Sequence, residues 1–277
     1  MNKNRENIAE DARIKAYLIN LKRDSSKRQK MISTLNNLKI NFSILDAVDA
    51  TEKNHLNFDG YNIIKRKLFL GRELIDKEIA IMNSHVKAIN TFLNSREKFG
   101  LILEDDIEIP FIFVDILNKI SLIQYKWDVI RFINKPKFLK LSGRKVIRID
   151  SCHFLTRLPK LPGGGYAYLI TKSGAEKLIK MTRNYYHPID ILMGQTWKTN
   201  LNSLFCSPGI INHPPVPDEI EINDPRYIKE KKDLLSIYFF SRFFYKLYEA
   251  LMKWSFYYLK LPSDCIALNK TKKNFKY

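Results

Sequence analysis

Three consecutive carboxylates, Glu104, Asp105 and Asp106, close the apolar run in GLILEDDIEI. Like charges this close repel one another, so the triplet calls for a positive partner. At a strand end, period-two alternation turns Glu104 and Asp106 to one face and Asp105 to the other. Glu104 and Asp106 can then hold one divalent cation, or divide between a cation and a ribose hydroxyl. Hard oxygen donors suit Mg²⁺ or Mn²⁺ and suit sharing the ion with a diphosphate. The plain alternative is a solvated strand end.

Other chemistry-bearing residues also have two readings. His213, ahead of two prolines, is a metal ligand or an ordinary loop histidine. Asp190, in His-Pro-Ile-Asp, is a general base or a helix N-cap. His85 follows Glu78 by seven residues, so the two share one helix flank; His85 is Glu78's partner or a structural histidine. Gly163–Gly165 allows a tight turn or close backbone approach to a ligand. The run KRDSSKR can meet phosphates at a helix N-terminus, or simply be solvated.

The elements that must position these residues follow from periodicity. KAYLINL reads as a strand, KRDSSKRQKMISTLNNL as a helix with Met31, Leu35 and Leu38 at helical spacing, and NFSILDAVDA as a second strand. Strand, helix and strand with short connections make a βαβ unit of a largely parallel sheet. From Glu73, Ile75, Ile79, Met82, Val86, Ile89 and Leu93 form one apolar stripe. LILEDD is the third strand, with the acidic triplet at its carboxyl end, where open α/β sheets bind ligands. Trp127 to Ile133 reads as a fourth strand and 134–162 as loop. Tyr166 to Ile170 reads as a strand, followed by a helix from about Ser173.

The net charge of +18 implies an anionic partner, and residues 226–277 carry twelve basic against four acidic groups. Apolar content of 45% is that of a globular chain. Cys152, Cys206 and Cys265 form no CxxC pair, so a disulfide framework or zinc site is not expected, and a reducing compartment is. The opening MNKNRENIAEDARIK has no apolar signal-like run, and a cytoplasmic protein is expected. After residue 225 the composition changes. In one long amphipathic helix, Arg242, Lys246, Glu249, Lys253 and Lys260 share a narrow stripe and aromatic residues cover the rest. Charges inside the segment argue against a transmembrane span and favour a helix lying on a membrane surface or, failing that, in a dimer.

Three ordered blocks resemble glycosyltransferase family 25, the lipooligosaccharide galactosyltransferases related to procollagen galactosyltransferases. They are AYLINLKRDSSKRQKMISTL with Ala47–Asp49, KEIAIMNSHVKAIN with LILEDDIEI, and GGYAYLITKSGAEKLI with HPIDILM. The resemblance covers about residues 15–195. It departs at Lys77 and Ala80, where the family usually has glycines, and at Ile81, often a Cys; these substitutions are expected to touch helix packing more than chemistry.

The resemblance implies an α/β, GT-A-like, Rossmann-type fold. It implies a catalytic domain over 1–225, a helical tail over 226–277, and inverting transfer of a hexose, usually galactose from UDP-galactose, with Mn²⁺ or Mg²⁺. Asn20, Arg28, Asp49, Glu78, Ser84, His85, Glu104 and Asp105 match the donor-side segments, and Glu104, Asp106 and His213 are the metal candidates. Asp190 matches the Pro-x-Asp aspartate. It is the first candidate for accepting the acceptor hydroxyl's proton, with Asp218 and Glu219 in reserve. A lipid-linked oligosaccharide acceptor and an anionic membrane surface, met on the inner face of a bacterial inner membrane, are the expected partners; nucleic acid is not. The rivals are a metal-dependent nucleotidyltransferase or nuclease, with Asp128 as its nearest further carboxylate, and a non-enzymatic basic binding module.

Overall fold

The computed structural model describes residues 14–134, 143–161, 163–214 and 236–273. β1 (Ile14–Asn20) is almost wholly buried, as a seven-residue apolar run should be at the centre of a sheet. α1 (Ser25–Asn37) follows and buries Met31 and Leu35. β2 (Phe42–Asp46) then pairs parallel to β1 as the half-exposed edge strand. α2 (Ile63–Leu70) starts with Asn62 accepting from the backbone N–H of Lys65 and ends in left-handed Gly71.

α3 (Asp76–Leu93) starts three residues later than the apolar stripe suggests, because Glu78 caps it by accepting from the backbone N–H of Ile75. Its buried face includes Ile79, Met82 and Ile89, as expected, and also Ser84 and His85. β3 (Phe99–Glu104) pairs parallel to β1 on the side away from β2, and α4 (Ile112–Ser121) follows. Thus β1 goes first to β2 and the chain then crosses back to β3, opening a crevice at the carboxyl ends of β1 and β3.

The expected fourth strand is split at Phe132 into β4 (Val129–Arg131) and β5 (Ile133–Asn134). Within the region read as loop, β6 (Arg144–Arg148) and β7 (Phe154–Arg157) form an antiparallel pair at the far edge of the sheet. β8 (Ala167–Thr171) is antiparallel to both β3 and β4; α5 (Lys172–Thr182), α6 (Ile189–Gly194) and α7 (Thr196–Thr199) follow it. β9 (Ser203–Ser207) and β10 (Ile211–Asn212) complete the strands. The eight-stranded sheet has the order β2-β1-β3-β8-β4-β9-β7-β6. Only β8 and β7 run against the other strands, so the fold is the mixed, mostly codirectional α/β sheet expected, with apolar clusters on both faces.

α8 (Ser236–Leu259) and α9 (Leu261–Lys273) form the helical C-terminal region. α9 packs on β6 and sinks Asp264 to zero exposure. There Asp264 accepts from Arg157 Nε at 2.7 Å, Arg144 Nη2 at 2.6 Å and the Tyr125 hydroxyl at 2.9 Å. α8 packs on α2 and α7.

Candidate active site

The backbone leaves the sheet at Glu104, so strand alternation no longer governs the next two residues, and each carboxylate finds its own partner. Glu104 Oε1 lies 3.3 Å from His85 Nε2, and His85 Nδ1 lies 3.1 Å from the hydroxyl of Tyr168. Asp105 Oδ2 accepts from Asn20 Nδ2 at 2.6 Å, and Lys27 Nζ stands 3.8 Å from its other oxygen. Asp106 Oδ2 lies 3.2 Å from His213 Nε2, whereas Asp106 Oδ1 is buried without a hydrogen-bond partner. Asp106 thus pairs with His213 and Glu104 with His85 of α3, while all three carboxylates line one cleft. Among the described residues, no three acidic, histidine or cysteine side chains converge enough to hold an ion alone.

The three acids face different electrostatic surroundings. Burial raises Asp105, and Asn20 and Lys27 only partly offset it. Burial also pushes Asp106 upward, but the hydrogen bond and charge of His213, with Lys27, outweigh it and leave that carboxyl below its ordinary value. Burial raises the Tyr168 hydroxyl, which stays neutral beneath His85.

Around the triplet lies a cleft of about 500 Å³, within the range of small-ligand sites. Arg23, Lys27 and Lys77 bring positive charge to its wall, and Ala80 and Ile81 floor it. Lys77, Ala80 and Ile81, the departures assigned above to helix packing, are thus cleft residues, because the first turns of α3 lie against the crevice. Arg23 is held by an ion pair with Asp49, which also accepts from the backbone N–H and hydroxyl of Thr51. Ser84 accepts from the Val48 N–H and donates to the Ala80 carbonyl, both at 2.8 Å, which fixes the loop after β2 against α3.

Other candidates lie elsewhere. Arg28 meets Asp46 at 3.3 Å on the exposed side of α1. Glu78 does not meet His85: Arg72 donates to both its oxygens, at 2.9 and 3.0 Å, while Glu78 caps α3. Asp190 Oδ2 accepts from the Gly164 N–H at 2.6 Å and Oδ1 from the Ile191 N–H at 2.8 Å. Asp190 lies inside the first turn of α6, whose N-cap is Pro188, and it anchors the Gly163–Gly165 turn to that helix. Gly164 needs its glycine, with φ of +99°, and a Cβ on Gly165 would stand 3.3 Å from Glu104 Oε1. Asp218 and Glu219 lie outside the described residues. Asp128 sits at the other end of the sheet, where Oδ2 accepts from Lys177 and from the Asn202 N–H.

Sequence comparison is decisive about kinship. Residues 13–193 match Glycosyltransferase family 25 (LPS biosynthesis protein). The chain belongs to this family. It is 25% identical over 177 residues to Procollagen galactosyltransferase 1 of Danio rerio, covering 59% of this chain and 28% of that protein. It is also 25% identical over 176 residues to Procollagen galactosyltransferase 2 of Homo sapiens, covering 59% and 27%. The matched region thus spans little more than a quarter of these relatives. Among solved structures, A197 from STIV aligns with a TM-score of 0.40 and 13% identity, over 73% of this chain and 86% of that one. Every described cleft-lining residue lies within the family match; His213 lies beyond it.

Proposed function

We propose that this family 25 member is an inverting hexosyltransferase that takes galactose from UDP-galactose and delivers it to a lipooligosaccharide or lipopolysaccharide acceptor. The observation that carries the reading is the Asp106–His213 pair, with its unpartnered buried oxygen, in a cation-lined cleft at the tip of β3. Mg²⁺ and Mn²⁺ are commonly bound by only one or two protein side chains plus substrate phosphates, and a carboxylate with a spare oxygen beside a histidine fits that pattern. Asp106 and His213 would hold the ion, which when bound offsets the charge that gathers on the departing UDP.

The chain's own residues do the rest. Arg23, Lys27 and Lys77 attract and orient the diphosphate. Asn20 and Lys27 hold Asp105 at the cleft wall. His85, backed by Tyr168, fixes Glu104, and Asp190 holds the Gly163–Gly165 turn close over Glu104. Single displacement needs a carboxylate to take the acceptor's proton; Asp190 is the first candidate, with Asp218 and Glu219 in reserve. The distance of Asp128 from the triplet counts against a two-metal nuclease, which needs carboxylates converging on one strand end.

The test is a donor panel: UDP-galactose, UDP-glucose and UDP-N-acetylglucosamine with Mn²⁺ or with EDTA, reading UDP release. Chelator-sensitive release from UDP-galactose above the other two supports the proposal. Release from none of them contradicts it.

A further inference from the structure

Helix α8 has the reverse of the usual polarity. Its inward face carries Ser241, Tyr245 and Glu249: Ser241 donates to the Leu68 carbonyl, and Glu249 accepts from Gln195 at 2.7 Å and from the Tyr245 hydroxyl at 3.1 Å. Tyr245 is buried and stacks on Phe69 at 4.7 Å. Arg242, Lys253 and Lys260 of the charged stripe are half-buried on this side as well. The face left to solvent is apolar: Phe240 is 67% exposed, Phe243 63%, Leu247 48% and Leu251 61%. On neighbouring α2, Ile64 is 75% exposed and extends the patch. Soluble monomers seldom present so large a contiguous apolar surface without a partner.

At the seam where α8 meets α2, α5 and α7 there is a cavity of about 650 Å³. Lys65, Lys180 and Lys198 line it together with Tyr186, Phe244 and Tyr248. Lys198 Nζ lies 3.7 Å from the centroid of the Tyr186 ring. Burial, opposed by Glu249 and reinforced by Lys65, lowers the Lys198 ammonium to about 8. A bound anion would relieve the repulsion between Lys65 and Lys198 and hold the proton on Lys198.

We propose that this face docks on a bilayer containing anionic lipid, the aromatic side of α8 entering the interface and the lysine-lined cavity taking a phosphate headgroup. Charge complementarity selects this occupant. A second copy of the chain would bring the same +18 charge and the same lysines to the contact, whereas anionic lipid cancels them. Among the described residues no helix is long and apolar enough to cross a membrane, so α8 would lie in the surface plane. The docking does not depend on the transferase reading.

The test is co-sedimentation of the full chain with vesicles of phosphatidylcholine alone or mixed with phosphatidylglycerol. The expected result is pelleting with the mixed vesicles. It should weaken about tenfold or more in the Phe243→Glu/Leu247→Glu/Leu251→Glu variant, and about tenfold in Lys65→Ala/Lys198→Ala. All these positions are exposed or half-exposed, and an unchanged melting temperature verifies folding. Wild-type protein that ignores the mixed vesicles overturns the proposal. So does a triple variant that pellets like wild type, or a wild-type dimer that the triple variant dissolves without any vesicle binding. Absence of UDP release alongside the expected pelleting would sink only the transferase reading.

Discussion

A buried carboxylate oxygen left without a hydrogen bond costs about 1–3 kcal/mol, and Asp106 Oδ1 is such an atom. His213 meets the other oxygen, and Asp106 stays ionised. Asp190 differs in that each of its oxygens accepts one backbone N–H. Asp190→Ala should therefore lower stability by about 1–2 kcal/mol through loss of the hydrogen bond that holds the Gly163–Gly165 turn. Loss of the proton acceptor, by contrast, should lower kcat about a hundredfold or more at unchanged UDP affinity. Steady-state kinetics of Asp190→Asn, Asp218→Asn and Glu219→Gln separate the roles. A kcat loss confined to Asp190→Asn, with its melting temperature intact, would place the base at Asp190, and a loss confined to Asp218→Asn or Glu219→Gln would move it there.

At the scale of elements, the joint between α9 and the β6–β7 edge concentrates buried charge, because Asp264 meets Arg144 and Arg157 out of water. Removing one partner of such a group leaves the others uncompensated, so Asp264→Ala should cost about 3–5 kcal/mol of unfolding free energy in a denaturant titration. Burial alone would raise the Asp264 carboxyl, but Arg157 and then Arg144 outweigh it and hold it below its ordinary value. A depressed folded-state pKa stabilises above the unfolded value of about 3.9 and loses that contribution as pH falls through the folded value. The gap between wild type and Asp264→Asn should accordingly narrow below about pH 4. A gap that widens there would contradict this assignment.

These same residues explain what the sequence conceals. β1, β3 and α3 are legible because each buries an apolar pattern with a single period. β6 and β7 read as loop because Arg144 and Arg157 sit at inward positions, where a sequence pattern expects apolar side chains, and their partner lies more than a hundred residues away. Lys77 is assigned to helix packing for a related reason: its place at the cleft shows only once α3 is set against the crevice. The acidic triplet and the basic run after β1 are visible as local chemistry. That Asp106 would find His213, and Glu104 find His85, is a property of the assembled sheet.

Across the whole molecule, the cleft draws on β1, the loop after β2, α3 and the tip of β3, and the His213 segment closes on Asp106 from the C-terminal side. On another surface lies the exposed aromatic side of α8, in a chain of strongly positive charge. Nucleotide and cation should therefore bind as a linked pair, each raising affinity for the other by the same factor. Isothermal titration of UDP into the protein, with Mn²⁺ or with EDTA, measures that linkage for wild type and for Asp106→Asn. Wild type should bind UDP about tenfold or more tightly with the metal, and Asp106→Asn should lose that gain. Equal affinity in EDTA for wild type, or a metal gain that survives Asp106→Asn, would contradict a cation held by Asp106 beneath the diphosphate.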